Sequence, residues 1–325
     1  MRTLTLPRLI DDDATRDLYA GKLLGDDAYD LLVTEDTDCY DEATGALLFK
    51  FRKGILPAEQ VRVAWESLRD AASVSFNRGI AAGQVIPGEL AETDMIGHQA
   101  LAAEGGRNVR LRVTKQDGTV SNTIYAKPVN SGIVGFFGRT ARNPYCRTTA
   151  YSLEHPERFK KAMPLFQSIS REFERLVPDR FAAQRAMIEK TSPDFYIHGT
   201  VFTTVTVNKN WQTAVHTDRG DLKEGFGVLA AFRAGIPFKG CYFCLPAWRV
   251  AIDMDNRDLL FVDVHQWHGN TPVHGAEGLY ERLSLVLYYR ENMVLCGTAD
   301  QELDRAKTRK AGDPLLVNLH ELSDE

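Results

Sequence analysis

The stretch Val205-Thr-Val-Asn-Lys-Asn-Trp-Gln-Thr-Ala-Val-His-Thr-Asp-Arg-Gly-Asp221 begins as an apolar, β-branched strand and ends in a cluster of polar side chains. Alternate residues of an extended chain point to the same side. His216 and Asp218 therefore face one direction and can offer an imidazole nitrogen and a carboxylate oxygen to one cation. This stretch predicts a β-fold that carries a metal site where a strand ends.

A second strand supplies a second histidine. Leu259-Leu-Phe-Val-Asp-Val-His-Gln-Trp-His-Gly-Asn270 runs into a turn and offers either His265 or His268. Two histidines and one carboxylate, with the opposite metal positions left open, are the ligands of non-haem Fe(II) oxygenases. An isolated H-x-D is weak evidence, because a chain with eight histidines and many aspartates contains one about as often as not. The motif therefore needs support from its context.

That support is a third segment, Arg282-Leu-Ser-Leu-Val-Leu-Tyr-Tyr-Arg290, in which Arg282 and Ser284 share one face of a strand and leucines take the other. A planar guanidinium beside a hydroxyl is suited to bind the distal carboxylate of 2-oxoglutarate. The alternative for Arg282 is a solvated strand end. Asn208 and Asn210 could bind the near carboxylate of the same co-substrate, or could form a turn.

In this order the motifs resemble the TET and J-binding-protein family of Fe(II)/2-oxoglutarate nucleobase dioxygenases. The resemblance includes the H-G-N turn at His268 and the segment G-C-Y-F-C-L-P that starts at Gly240. Two upstream segments, Gly135-Phe-Phe-Gly138 and Tyr145-Cys-Arg-Thr-Thr-Ala150, resemble the J-binding-protein branch. The matches run from about residue 130 to 292, and the rest of the chain carries no comparable motif.

The resemblance implies a dioxygenase that uses Fe(II), 2-oxoglutarate and O2 to hydroxylate the 5-methyl group of thymine or 5-methylcytosine in DNA. Oxygen would cleave the co-substrate to succinate and CO2, and the base would have to be flipped out of the duplex. The H-G-N match favours His268 over His265, which would then support His268 or simply be buried. Asp221 lies where the family places an Asn or Asp that contacts the target base, although it could instead cap the turn after Arg219. The implied metal ligands are His216, Asp218 and His268, and the implied 2-oxoglutarate ligands are Arg282, Ser284 and Asn208.

The net charge of −5 argues against a nucleic-acid partner, but the charge is unevenly distributed. Residues 105–150 contain eight basic residues and one acid, interspersed with aromatic side chains. A basic groove with stacking rings suits a polyanion, which predicts that Arg139, Arg142 and Arg147 contact DNA. The alternative is a solvated face balanced by acids elsewhere.

Two other functions fit parts of this pattern. The protein could hydroxylate a free nucleotide or another small molecule, or it could read a modified base with a vestigial metal site. The complete H-x-D, H and R-x-S set argues against the reader.

The predicted fold class is α+β, a double-stranded β-helix (jelly roll) core with buttressing helices and an N-terminal α/β extension. The β-rich segments from residue 195 onward predict the jelly roll, and apolar residues at helical spacing predict helices at 156–176 and 178–190. A hairpin is expected at 29–41 and 45–53, a helix from Pro57, strands at 110–113 and 121–127, and a charged surface helix at 300–310. The predicted divisions are 1–128 (extension), 129–295 (dioxygenase domain, jelly-roll core 195–292) and 296–325 (charged helix and tail).

The five cysteines are an odd number without disulfide spacing, which suits a reducing compartment. Cys241 and Cys244 form a C-x-x-C, but no second pair lies at zinc spacing, so both are predicted to be structural strand cysteines. Neither a signal-peptide apolar region nor a membrane-length apolar run is present. The expected location is the cytoplasm or the compartment that holds the DNA, with no secretion and no membrane partner.

Overall fold

The computed structural model describes residues 1–90, 95–104, 106–140 and 143–308. Its helices are α1 (Asp12–Tyr19), α2 (Ala58–Leu68), α3 (Ala150–Glu154), α4 (Pro156–Leu176), α5 (Pro178–Ile188) and α6 (Ala299–Thr308). Its strands are β1 (Arg2–Leu6), β2 (Leu31–Val33), β3 (Thr37–Asp41), β4 (Leu47–Arg52), β5 (Val74–Ser75), β6 (Met95–Glu104), β7 (Arg107–Lys115), β8 (Val129–Phe137), β9 (Arg147–Thr148), β10 (Thr204–Lys209), β11 (Gly227–Gly235), β12 (Lys239–Gly240), β13 (Phe243–Leu245), β14 (Val250–Ile252), β15 (Leu259–Val262), β16 (Gly269–Asn270), β17 (Val273–His274) and β18 (Tyr280–Tyr288).

A large sheet organises the described part of the chain. Its strands lie in the order β1-β3-β4-β15-β11-β18-β10-β8-β5, and β9 pairs with β8. The central strand β18 is antiparallel to both β10 and β11. Because side chains alternate along a strand, Leu283, Leu285 and Leu287 enter the apolar core while Arg282 and Ser284 face the other way. The two faces of this sheet therefore have different chemistry.

Helices α2, α4 and α5 cover the apolar face. Phe166, Ile169 and Phe173 of α4 are fully buried against the sheet. The Phe173 ring stacks on Phe261 of β15 at 5.5 Å between centroids and lies parallel to Phe202 at 6.2 Å. Burial of such aromatic side chains supplies much of the stability of a core. The prediction that the helices at 156–176 and 178–190, here α4 and α5, pack behind a sheet is confirmed.

The opposite face packs on a smaller sheet with the order β16-β13-β14-β2. Side chains of both sheets form one core, in which Leu229 and Leu260 of the large sheet meet Phe243 and Ile252 of the small one. Two facing antiparallel-rich sheets with an apolar interior are a jelly roll. The predicted fold class is therefore confirmed, and the open end between the two sheets contains the candidate site.

The N-terminal residues extend both sheets. The predicted hairpin is present as β3 and β4, which pair antiparallel, and β4 continues the sheet onto β15. Strand β1 adds in parallel to β3, whereas β2 joins the small sheet beside β14. Helix α2 begins directly after Pro57, as predicted. Strands β2 to β4 and helix α2 thus contribute side chains to the two cores of the jelly roll.

A correction concerns the predicted strand at 121–127. The partner of β7 is β6, which precedes it in the chain, and residues 121–127 form no strand. Two isolated antiparallel bridges, Leu111 to Tyr125 and Thr114 to Val120, mark the predicted pairing. Strand β6 lies in an Ala- and Gly-rich stretch that shows no apolar period, because nearly all of the strand is exposed.

The cysteines and the C-terminal helix differ from expectation in two respects. Cys146 and Cys296 form a disulfide, which the odd number of cysteines did not predict. Helix α6 is present where expected, but Glu302 is only 1% exposed and is not part of a solvated face. Cys241 and Cys244 are buried free thiols, and neither belongs to a metal-ligating group within the described residues. The predicted tail from residue 309 lies outside the described residues.

Within the ranges that the structure describes, no helix combines the length and the apolar character needed to cross a membrane.

Candidate metal centre and active-site cavity

His216 and His268 are joined through their backbones. Each residue donates its N–H to the carbonyl of the other, and both hydrogen bonds are 2.9 Å long. Asp218 N–H then donates to Val264 O at 3.0 Å, which continues the same pairing. The loop after β10 and the turn after β15 are thereby held side by side, and both imidazoles lie close to the carboxylate of Asp218.

The ring orientation of each histidine is fixed by a carbonyl two residues earlier in the chain. Nδ1 of His216 donates to Ala214 O at 2.8 Å, and Nδ1 of His268 donates to Gln266 O at 2.9 Å. This leaves Nε2 of both rings facing Asp218, at 3.4 Å for His216 and 3.8 Å for His268. The potential ligand atoms of the three residues all lie within 4.8 Å of one another. Backbone carbonyls that fix the tautomer in this way are usual around metal-binding histidines.

The electrostatics of the group match what a cation requires. Burial opposes ionisation of Asp218, but its hydrogen bond to His216 and the nearby histidines outweigh that effect and lower its pKa to about 2. Burial, together with the adjacent His216, lowers the pKa of His268 to about 4. At neutral pH the carboxylate is therefore charged and the His268 imidazole is neutral. These are the protonation states in which both side chains bind metals.

His265, the other candidate in the turn, is engaged elsewhere. Its Nδ1 donates to Asp263 Oδ1 at 3.3 Å and its Nε2 donates to Asp221 O at 3.2 Å. Acceptors on both nitrogens favour the doubly protonated ring, and the Asp263 carboxylate raises the pKa of His265. The structure therefore groups His268, and not His265, with His216 and Asp218.

The three residues open into a cavity of about 500 Å³ between the two sheets. Its wall includes side chains from β10 and β18, the loop after β10, and a short N-terminal segment, Asn77–Ala81. The cavity-lining residues that carry polar or charged groups include Asn77, Arg78, Thr206, Asn208, Thr213, His216, Asp218, Arg219, Asp221, His268, Asn270, Arg282, Ser284, Tyr288 and Arg290.

Arg282, Ser284 and Asn208 are brought together on adjacent strands. Asn208 lies directly opposite Ser284 and also opposite Ser131 of β8, whose hydroxyl donates to Asn208 Oδ1. Arg282 is 5% exposed, and its Nε has no hydrogen-bond partner in the described structure. A buried guanidinium N–H without a partner is costly unless a ligand supplies an acceptor.

The turn alternative is wrong for Asn208, which lies within β10. The turn belongs to Asn210, which has a φ of 47°. Its Oδ1 accepts from Arg282 N–H at 2.6 Å, so Asn210 holds the backbone of β18 beside the end of β10.

Asp221 is 9% exposed and lines the cavity. Burial and the nearby Asp218 raise its pKa well above the usual value, while Arg290 opposes the shift. Its backbone pairs with Arg290 in an isolated bridge. In the described part of the chain no backbone N–H donates to its carboxylate, so it does not serve as a turn cap there.

The three arginines predicted to contact DNA have different surroundings. The guanidinium of Arg139 donates to the buried carboxylate of Glu302, to Oε2 at 3.3 Å and to Oε1, so its charge is paired within the protein. Arg142 lies outside the described residues. Arg147 lies over the Phe137 ring at 4.8 Å, and its Nη1 is buried without a hydrogen-bond partner among the described residues.

Arg290 and Arg78 also line the cavity and were not singled out from the sequence. The guanidinium of Arg290 lies 4.4 Å from the centre of the Phe137 ring, and its Nε is also buried without a partner in the described chain. It continues the alternation from Arg282 and Ser284 along the strand, so the period of two could have identified it. Arg78 donates to Gly132 O at 3.0 Å, and burial lowers its pKa. No sequence signal places Arg78 here, because only tertiary folding brings its segment to the cavity.

Comparison with known proteins supports this architecture. Residues 133–291 match the Tet_JBP model, described as the oxygenase domain of the 2OGFeDO superfamily. Thymine dioxygenase JBP1 of Trypanosoma brucei brucei is 36% identical over 166 residues, covering 50% of this chain and 19% of that protein. Thymine dioxygenase JBP1-B of Trypanosoma cruzi (strain CL Brener) is 30% identical over 258 residues, covering 77% of this chain and 29% of that protein. This chain thus spans less than a third of the length of these relatives.

Among solved structures, NgTET1 in complex with 5mC DNA superimposes with a TM-score of 0.51. The alignment covers 86% of this chain and 90% of that one at 12% sequence identity, a level that supports a shared fold. The family resemblance predicted from the motifs is confirmed by the family match and by the relatives.

We predict that Asp218→Ala and His216→Ala each reduce bound Fe(II) at least about ten-fold, because a site with three protein ligands loses most of its affinity when one is removed. The iron content would be measured by mass spectrometry after anaerobic loading and desalting, with circular dichroism to verify folding. His198→Ala, which removes an exposed histidine at a turn, is the matched control. Wild-type iron content in either site variant would contradict the assignment.

Proposed function

Because residues 133–291 form an oxygenase domain of the 2OGFeDO superfamily, we propose that this protein is an Fe(II)- and 2-oxoglutarate-dependent dioxygenase. Its proposed reaction is the hydroxylation of the 5-methyl group of a pyrimidine base in DNA. The observation that carries the proposal is the arrangement of His216, Asp218 and His268 at one end of a cavity that also holds the buried Arg282, whose Nε has no partner among the described residues.

The residues present fit Fe(II). The proposed ligands are Nε2 of His216, Nε2 of His268 and the carboxylate of Asp218, and the cavity leaves room on the remaining side of the group for a co-substrate. When bound, Fe(II), 2-oxoglutarate and O2 supply the oxidative conversion of 2-oxoglutarate to succinate and CO2, coupled to the insertion of one oxygen atom into a substrate C–H bond. The low pKa of Asp218 keeps its carboxylate ionised for the metal over the whole neutral range.

Arg282 is the proposed partner of the distal carboxylate of 2-oxoglutarate. Its unpartnered Nε and its burial on β18 suit a bidentate, charge-assisted pair with a carboxylate. Ser284, on the same face two residues later, would donate its hydroxyl to that carboxylate. Asn208 opposite Ser284 would orient the co-substrate through its side-chain amide N–H groups, since its Oδ1 already accepts from Ser131.

Asp221 is the proposed contact to the target base. It lines the cavity and lies three residues beyond Asp218, so a base that presents its methyl group to the metal would lie within its reach. A carboxylate oxygen can accept from the ring N–H of thymine or from the exocyclic amine of 5-methylcytosine. A methyl group stacked inside a duplex cannot enter a cavity between two sheets, so the base must be flipped out.

Arg147 and Arg290 are proposed to bind the DNA backbone. Both guanidinium groups contact the Phe137 ring, and each retains a buried N–H without a partner in the described structure. Because Arg290 lines the cavity, a phosphate next to the flipped nucleotide would meet this pair. DNA is the proposed substrate because Arg147 and Arg290 could bind phosphates and because the relatives are named thymine dioxygenases.

The proposal is tested by incubating the iron-loaded protein with 2-oxoglutarate and duplex DNA that contains both thymine and 5-methylcytosine. Mass spectrometry of the digested nucleosides should detect a 5-hydroxymethyl base, with succinate formed in proportion. Parallel reactions with free nucleotides distinguish a small-molecule hydroxylase. DNA binding without succinate formation would instead identify a modified-base reader.

For the co-substrate site, we expect Arg282→Lys to raise the KM for 2-oxoglutarate by roughly ten-fold or more, because a point charge replaces a planar, two-pronged donor. The KM for DNA should change less than two-fold. Both constants are obtained from initial rates of succinate formation. A parallel change in the two constants would show that Arg282 does not bind the co-substrate.

For the base contact, Asp221→Asn retains the size of the side chain but makes one of its two polar atoms a permanent N–H donor. We expect the wild-type preference between thymine and 5-methylcytosine to weaken by about 1–3 kcal/mol, the usual value of one base contact. The ratio of turnover on the two bases measures this change, while iron content and the KM for 2-oxoglutarate serve as controls. An unchanged ratio with full activity would exclude a contact between Asp221 and the base.

A further inference from the structure

Strands β6 (Met95–Glu104) and β7 (Arg107–Lys115) form a ribbon whose β6 edge is exposed. In the described structure β6 pairs only with β7, and every residue from His98 to Ala103 is exposed. One face of β7 contributes Leu111 and Val113 to a small apolar cluster. A two-stranded ribbon gains little stability by itself in water. This ribbon therefore adds little to the jelly-roll core, and its surface is available for another purpose.

The tip of the ribbon reaches the active-site cavity. Ala102 of β6 and Val109 of β7 both line it. The guanidinium of Arg110 also donates to Asn77 Oδ1 at 3.3 Å, and Asn77 belongs to the cavity wall. A polymer whose target unit occupies the cavity must therefore pass beside the ribbon.

The outer face of the ribbon is basic. Arg110 and Arg112 alternate along β7 with the buried Val109, Leu111 and Val113, so both arginines share the opposite face. Their partners across the ribbon are uncharged, Ala102 for Arg110 and Gln99 for Arg112. Nε of Arg112 is buried without a hydrogen-bond partner among the described residues. The sequence of β7 contains no acid to neutralise this face.

The other strand lacks the usual protection of an exposed edge. Natural edge strands are commonly blunted by lysine, proline or inward-pointing charges. From Ile96 to Ala103 the sequence I-G-H-Q-A-L-A-A contains none of these, and half of its residues are glycine or alanine. Small side chains on β6 next to guanidinium groups on β7 allow a close approach to a polyanion. The other edge of β7 is hydrogen-bonded to residues 119–125, so β6 is the edge that can approach a groove of DNA.

We propose that the β6–β7 ribbon enters a groove of duplex DNA beside the flipped nucleotide, with Arg110 and Arg112 on phosphates that flank the groove. This inference rests on the proposed function, because it requires DNA as the substrate. It makes the ribbon a contact to the duplex, whereas Arg147 and Arg290 serve the extruded nucleotide. The ribbon should therefore raise affinity for double-stranded DNA over single-stranded DNA.

The test uses the full chain with Arg110→Gln and Arg112→Gln combined. Fluorescence anisotropy would measure binding to a duplex and to its isolated strand, each carrying the same 5-methylpyrimidine, at several salt concentrations. Duplex affinity should fall at least ten-fold more than single-strand affinity, and the slope of log affinity against log salt should decrease by about 2 for the duplex. Arg62→Gln with Arg175→Gln is the matched control, since it removes two charges from the exposed surfaces of α2 and α4.

Gln99→Glu is a second, independent variant. It places a carboxylate directly opposite Arg112, so a cross-strand ion pair should preserve the ribbon while neutralising its face. Duplex binding should again weaken more than single-strand binding. Equal losses of affinity for both DNAs, or unchanged affinity for the duplex, would overturn the assignment of the ribbon to DNA. Dimerisation of the protein through its β6 strands, with DNA affinity unaltered in the variants, would also overturn it. Failure of the proposed function is a different result: the wild-type protein would then oxidise neither the duplex nor the single strand.

Discussion

The reciprocal backbone hydrogen bonds between His216 and His268 determine the geometry of the whole site. Buried backbone groups must be paired, so the main chain, and not the side chains, brings two loops from separate parts of the sequence to one point. Asp218 joins the same pairing through its bond to Val264. Because the burial of His268 keeps its imidazole neutral, the two rings can face one carboxylate without repelling each other as like charges.

The large sheet keeps the protein stable despite the buried polar groups of this site. Its helix-covered face is apolar, and the stacked rings of Phe173 and Phe261 show how closely the helices pack on it. The cavity face of the same strands carries buried polar groups, and an unpartnered guanidinium N–H such as that of Arg282 destabilises the folded chain. Alternation along β18 puts both kinds of residue on one strand. The rigid apolar side therefore holds donors in place for a ligand that offsets the cost of burying them.

Local sequence patterns predicted the helices and the faces of strands, which depend on residues close in sequence. They did not predict contacts between segments that are distant in sequence. Helix α4 and the two faces of β18 follow from short-range spacing, whereas the choice of His268 over His265 came from the H-G-N turn of the family resemblance. A count of basic residues cannot reveal that Arg139 is paired with Glu302, which lies 163 residues away. Strand β6 shows no period because both of its faces are largely exposed, and the disulfide joins two cysteines that no spacing rule pairs.

The N-terminal segments complete the site, although they precede the residues that match the oxygenase-domain model. Ala214 N–H donates to Ala81 O at 2.8 Å, and Val215 exchanges backbone hydrogen bonds with Gly21 and Lys22. The loop that carries His216 is thus bound on its outer side by chain from the first 82 residues. Arg78, from the same region, forms part of the cavity wall. Residues 133–291 alone would leave this loop with unpaired backbone groups and the cavity without one wall. The metal centre and its substrate cavity therefore depend on the N-terminal chain as much as on the family domain.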